Sequence, residues 1–70
     1  MGMNFVEYVC EIIDTMEKVS DWHYVYGIID ALQFADKLSY NEVLTLRNEA
    51  DKKLGVITAI EAAKKIEAAE

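Results

Sequence analysis

Apolar residues recur near the start of this chain at alternating intervals of four and three, at Phe5, Val9, Ile12, Met16 and Val19. That period lines side chains along one side of an α-helix and along no face of a strand. No proline interrupts the 70 residues, and 53% of them are apolar, which argues against disorder. A chain this short buries only about 60% of the surface its unfolded form exposes, so a lone core is marginal. Cys10 is the only cysteine and His23 the only histidine. An internal disulfide is therefore excluded, and no cluster of Cys and His exists to hold structural zinc. Stability has to come from close helix packing, self-association or a partner.

The pattern predicts a first helix from about residue 5 to 19, with Asn4 as its N-cap and Val6, Tyr8 and Ile13 flanking the apolar stripe. Glu7, Glu11, Asp14 and Lys18 fall on its opposite side. Ser20 and Asp21 are expected to end it and to cap a second helix. There Val25, Ile28, Ile29, Leu32 and Ala35 form the buried stripe, with Trp22 and Tyr24 at its shoulders. Gly27 stands in mid-helix, at a cost of about 1 kcal/mol relative to alanine. Ser39 and Glu42 are spaced as a capping box, and Leu38 and Val43 as a hydrophobic staple. They open a third helix whose inward residues are Val43, Leu46, Ala50 and Leu54. Lys52 and Lys53 suit its last turn, and Gly55 suits the position just past its end. Thr58 and Glu61 repeat the capping-box spacing, which predicts a short fourth helix carrying Ala59, Ala62, Ala63 and Ile66 on one side.

The expected fold is all-α. Residues 1–70 form a single helical domain, a small antiparallel bundle of three main helices plus a short Ala-rich C-terminal helix. Residues 1–3 read as an N-terminal arm, with Met1-Gly2 ahead of Met3 as a cloning remnant.

Charge is distributed unevenly. Residues 1–36 hold seven acids and one base, Lys18, for a sum of −6, while residues 37–70 hold six of each sign and sum to zero. The N-terminus carries no Lys or Arg ahead of an apolar run, so it does not read as a signal peptide. No stretch approaches the length of a membrane span. The expected location is a reducing cytoplasm.

No arrangement of residues points to a catalytic, cofactor or metal site. Cys10, His23 and Asp30 are the components of a Cys–His–Asp triad, but a short helical chain without Gly-rich loops offers no oxyanion hole. Glu7 and Asp14 flank Cys10 on its helix and, with Glu11, predict a raised thiol pKa. Those three acids lie along one straight helix and do not converge on a cation. Asn41, Thr45, Asn48 and Lys52 align on one face of the third helix with Arg47 nearby, and such groups can read base edges. A chain at −6 repels phosphates, so direct nucleic-acid binding is not expected. The remaining candidate is on the second helix. His23, Gly27, Asp30 and Phe34 follow one line, with Tyr26, Gln33 and Lys37 beside it, and this mixture of aromatic and polar groups fits an interface centre.

The segment from Asp36 to Leu46, continuing from Asn48 through Leu54, resembles small helical accessory proteins of bacteriophages and mobile elements. The resemblance covers about nineteen residues, and its motif is the Ser39–Glu42 capping box. It implies an accessory bacterial or phage protein, including one that blocks a host enzyme. The aromatic run Trp22-His23-Tyr24-Val25-Tyr26 and the Ala-rich terminus depart from that pattern.

Three expectations follow. The first is a non-enzymatic, cytoplasmic protein-interaction or regulatory module that binds a protein partner through His23, Tyr26, Gly27, Asp30 and Phe34. The second is an acidic inhibitor that imitates nucleic acid through Glu7, Glu11 and Asp14. The third is a homodimer through helix 1, whose apolar surface exceeds what a short bundle covers.

Overall fold

Asn4 opens the first helix as its sequence position demands. Its side-chain oxygen accepts the backbone N–H groups of Val6 at 3.0 Å and Glu7 at 3.3 Å, filling two of the donors a helix start leaves free. A computed structural model describes residues 4–69, so the arm and the remnant at positions 1–3 lie outside the described residues. It contains three helices, α1 (Phe5–Asp14), α2 (Val19–Phe34) and α3 (Tyr40–Ala69), and no strand among the described residues.

The first helix ends earlier than its apolar period predicts. The Thr15 hydroxyl bonds back to the Ile12 carbonyl at 2.7 Å. The Asp21 carboxylate then accepts the backbone N–H groups of Glu17 at 2.9 Å and Lys18 at 3.1 Å. Asp21 thus sits three residues inside α2 and reaches back over the start, while Lys18 takes the cap position expected for Ser20. Met16 leaves the helix yet stays buried at 4% exposure, so the apolar period persists across a turn that is not helical.

These two bonds hold the Asp21 carboxyl below the usual carboxylate range, the bond from the Glu17 N–H foremost. A depressed carboxyl stabilises the fold above its ordinary unfolded pKa and loses that contribution as pH falls through the lower folded value. Asp21→Ala is therefore expected to melt below the parent chain at neutral pH. The gap should close as pH falls below about 4, the ordinary carboxylate value. Melting curves of both chains across that range check it.

α2 ends in a left-handed cap. Asp36 has φ 64°, and the N–H groups of Asp36 and Lys37 bond back to the carbonyls of Gln33 at 3.0 Å and Leu32 at 2.8 Å. This paired closure usually takes glycine, and an Asp tolerates it. Ala35 becomes the cap residue and is exposed, not part of the buried stripe. α3 opens on the expected capping box. The Ser39 N–H donates to Glu42 Oε1 at 2.8 Å, and the Glu42 N–H donates to Ser39 Oγ at 3.2 Å. Leu38 and Val43, the staple pair, are both buried.

No fourth helix separates from the third. α3 runs through Gly55 without a break, and the Thr58 hydroxyl bonds to the Gly55 carbonyl at 3.0 Å inside the helix, not at a new start. Gly55 has no positive φ, so it does not take the left-handed geometry of a helix terminator. A continuous helix keeps every backbone bond that a turn would forfeit. At 1.5 Å per residue α3 is about 45 Å long, which accounts for most of the molecule's 52 Å extent.

The core is one cluster: Val9, Ile13 and Met16, then Val25 and Ile29, then Leu38, Val43, Leu46, Ala50 and Ile57. α2 runs against α3 in the opposite sense, since Trp22 and Tyr26 meet Asp51 and Asp30 meets Arg47. Ile57 is the last buried residue of α3 up to Ala68, and Leu54 is half-buried. Residues 58–68 are all exposed. On α1, Phe5, Val6, Cys10 and Ile12 are partly buried against this core, so the surplus that motivated a dimer through helix 1 is largely covered within the chain.

Candidate functional site

Facing the core with Val25 and Ile29 turns another side of α2 outward. At 3.6 residues per turn, Tyr24, Gly27, Ala31 and Phe34 fall on that outward side, with His23 and Asp30 along its edge. Phe34 is 94% exposed and Tyr24 is 66% exposed. Gly27 and Ala31 between them are exposed as well, and a Cβ built on Gly27 would meet nothing within 4 Å. The result is a shallow floor of small residues between two aromatic ends. Phe34 packs under no other helix, because the C-terminal half of α3 continues away from α2.

Tyr26 does not belong to this face. It is half-buried and turned toward α3, where its hydroxyl donates to Asp51 Oδ1 at 2.9 Å. The Trp22 indole N–H donates to the same oxygen at 3.0 Å. The two rings stack at 4.3 Å between centroids, and the Arg47 guanidinium lies 5.7 Å from the centre of the Tyr26 ring. Arg47 also pairs with Asp30. Burial raises the Tyr26 phenol above its ordinary pKa, and the bond to Asp51 adds to it. This cluster clamps α2 to α3 across the rim of the core. It also holds Asp30 at the edge of the outward face, and it removes Arg47 from any nucleic-acid surface on α3. Asp51 is not among the site residues the sequence predicts. The four-residue spacing of Trp22 and Tyr26 on one helix, matched by Arg47 and Asp51 on the other, is the signal that finds it.

His23 is exposed and touches Trp22 edge-on at 4.9 Å. It stands seven residues from Asp30, about 10 Å of helix rise, so the two form no relay. Cys10 lies on α1, where burial foremost, and then the charges of Asp14, Glu49 and Glu7, push its thiol pKa up. The direction is the one the sequence predicts, though burial leads and Glu49 replaces Glu11 among the causes. A raised thiol pKa leaves little thiolate to act as a nucleophile. Glu7, Glu11 and Asp14 are exposed along the outer side of α1, and neither ion pair among the described residues involves them. No group of three or more His, Cys, Asp or Glu side chains among the described residues is placed to hold a metal ion. Among the described residues no helix is long and apolar enough to cross a membrane.

Asn41, Thr45, Asn48 and Lys52 are exposed on α3 as their spacing predicts. The Thr45 hydroxyl is held by the Asn41 carbonyl at 3.0 Å, and Lys52 leans on Glu49 at 3.4 Å. No protein family, curated protein or solved structure matches the chain.

Proposed function

We propose that the chain is a non-enzymatic protein-interaction module that docks a partner segment on the outward face of α2. The observation that carries this reading is Phe34, fully presented to solvent at the end of a line that begins at Tyr24 and crosses Gly27 and Ala31. Aromatic side chains with little contact of their own are what interface centres draw on. The small residues between them let a partner backbone come close. Residues 1–36 sum to −6, so the complementary segment is apolar along one side and basic around it. His23 and the Arg47-bound Asp30 supply polar contacts at the edge, and Tyr26 acts from behind by fixing α2 on α3.

Gly27 separates stability from recognition. Gly27→Ala has room for its methyl and removes a helix-interior glycine, so it is expected to raise stability by about 1 kcal/mol. The same methyl fills the floor of the docking face and is expected to weaken partner binding. Chemical unfolding and a binding titration on one protein sample measure both effects. A variant that gains stability and binds as well as its parent removes Gly27 from the interface.

A second reading is favoured by one feature, the acidic side of α1 with Glu7, Glu11 and Asp14 all exposed and outside the described ion pairs. In that reading the chain occupies the nucleic-acid groove of a host protein. The two are told apart by salt. Mimicry weakens steeply as ionic strength rises, whereas docking anchored on Tyr24 and Phe34 loses only the smaller share that its basic rim contributes.

A further inference from the structure

Along α3 the apolar side changes direction. As far as Ile57 the buried residues Val43, Leu46, Ala50 and Ile57 define the side facing α1 and α2. At 3.6 residues per turn that side continues into Glu61 and Lys64, which with Val56 and Ile60 line the groove beside Met16 and Glu17. The opposite side is polar at Asn41, Thr45, Asn48 and Lys52, and past Gly55 apolar residues run from that side, at Ala59, Ala63 and Ile66, round to the groove's edge at Val56 and Ile60. Val56 is 54% exposed, Ile60 50% and Ile66 66%. The last turns of α3 therefore carry a half-exposed apolar seam turned to one side of the chain's own core, with Val56 and Ile60 on its inner edge.

We infer that this seam pairs with the same seam of a second copy, the two helix ends lying antiparallel. The pattern is self-complementary in that arrangement and in one register. Val56 and Ala63 take the first core position of a heptad, and Ala59 and Ile66 the second. Turned antiparallel about a two-fold axis near residue 61, Val56 meets Ile66 of the second copy and Ala59 meets its Ala63. On one flank Ile60 faces Ile60. On the same flank Lys53 faces Glu67, twice by symmetry, so opposite charges bracket the seam. Alanine at both central layers lets the helices approach closely. A parallel pair would put the two copies' Lys53 and Glu67 on opposite flanks of the seam and forfeit both charge pairings. The Lys53 ammonium is 3.4 Å from the Asp14 carbonyl, on a side chain long enough to swing to the flank. From Val56 to Ile66 the seam is about 15 Å long, well short of a standard protein interface, so the assembly forms with rising concentration and is not permanent.

Sedimentation equilibrium of the full chain tests this directly. The expected result is a shift from the 8.0 kDa chain toward twice that mass at high micromolar concentration, abolished by Ile60→Glu with the helix content unchanged. Glu67→Lys alone and Lys53→Glu alone are each expected to weaken self-association roughly tenfold, as exposed attractive pairs become repulsive. Mixing these two variants is expected to restore a dimer, since each then offers the charges the other lacks. A chain that stays monomeric throughout overturns the inference. So does a dimer indifferent to Ile60→Glu, and so do two charge variants that fail to pair when mixed.

Discussion

Ile29→Ala is expected to remove about 2–5 kcal/mol of stability, the usual cost of deleting a fully buried isoleucine to alanine. Ile29 is wholly enclosed on α2, in the cluster that joins all three helices. A chain of this length holds roughly 0.05–0.15 kcal/mol of stability per residue, so the loss is a large share of the total. Urea unfolding followed by helical circular dichroism should show a midpoint well below the parent's at an unchanged slope. Phe34→Ala, five residues along the same helix, is expected to move that midpoint within about 0.5 kcal/mol, as an exposed substitution does. Two large apolar residues on one helix would then differ several-fold in their hold on the fold. Comparable losses at both positions would mean that the outward side of α2 is core.

Val56→Pro is the second large effect. Inside a continuous helix, proline removes the N–H bond to the residue four positions back and strikes that residue's carbonyl, at a cost of about 3 kcal/mol or more. Among residues 57–68 only Ile57 lies in the core, so the end of α3 should separate from the rest and lose helical signal. Had α3 ended at Gly55, proline at the next position would be well placed in a linker and nearly silent. A circular dichroism spectrum and a melting curve of Val56→Pro decide between them. Unchanged helix content contradicts a continuous α3.

What the sequence disclosed was local, and what it concealed was mostly long-range. Asn4, and Ser39 with Glu42, act on backbone groups within three residues, so their spacing alone locates two helix starts. The buried side of α2 follows from period, through Val25 and Ile29. Gly55 misleads because glycine past a helix end is only a tendency. Its neighbours Leu54, Val56 and Ile57 all accept a helix, and the backbone bonds favour continuing. The early end of α1 depends on Asp21 capturing amides from the preceding turn, a role that its identity as an acid after serine does not separate from capping. Asp51 binds Trp22 and Tyr26 from 29 and 25 residues away, a pairing that the four-residue spacings on α2 and α3 permit but that only the fold selects. That same pairing takes Tyr26 out of the candidate surface. It leaves His23, Gly27, Asp30 and Phe34 in place on the exposed side of α2, joined by Tyr24 and Ala31.

On the reading proposed above, the exposed side of α2 serves recognition and not folding. The direct measurement is the double variant Tyr24→Ala with Phe34→Ala, assayed in parallel for melting temperature and for binding to the protein that the native chain captures in its own host. The expected result is a melting temperature within a few degrees of the parent and loss of the captured protein, while Glu7→Lys with Glu11→Lys still captures it at raised salt. Capture that survives the double variant, or that fails only when the α1 acids are reversed, contradicts the claim.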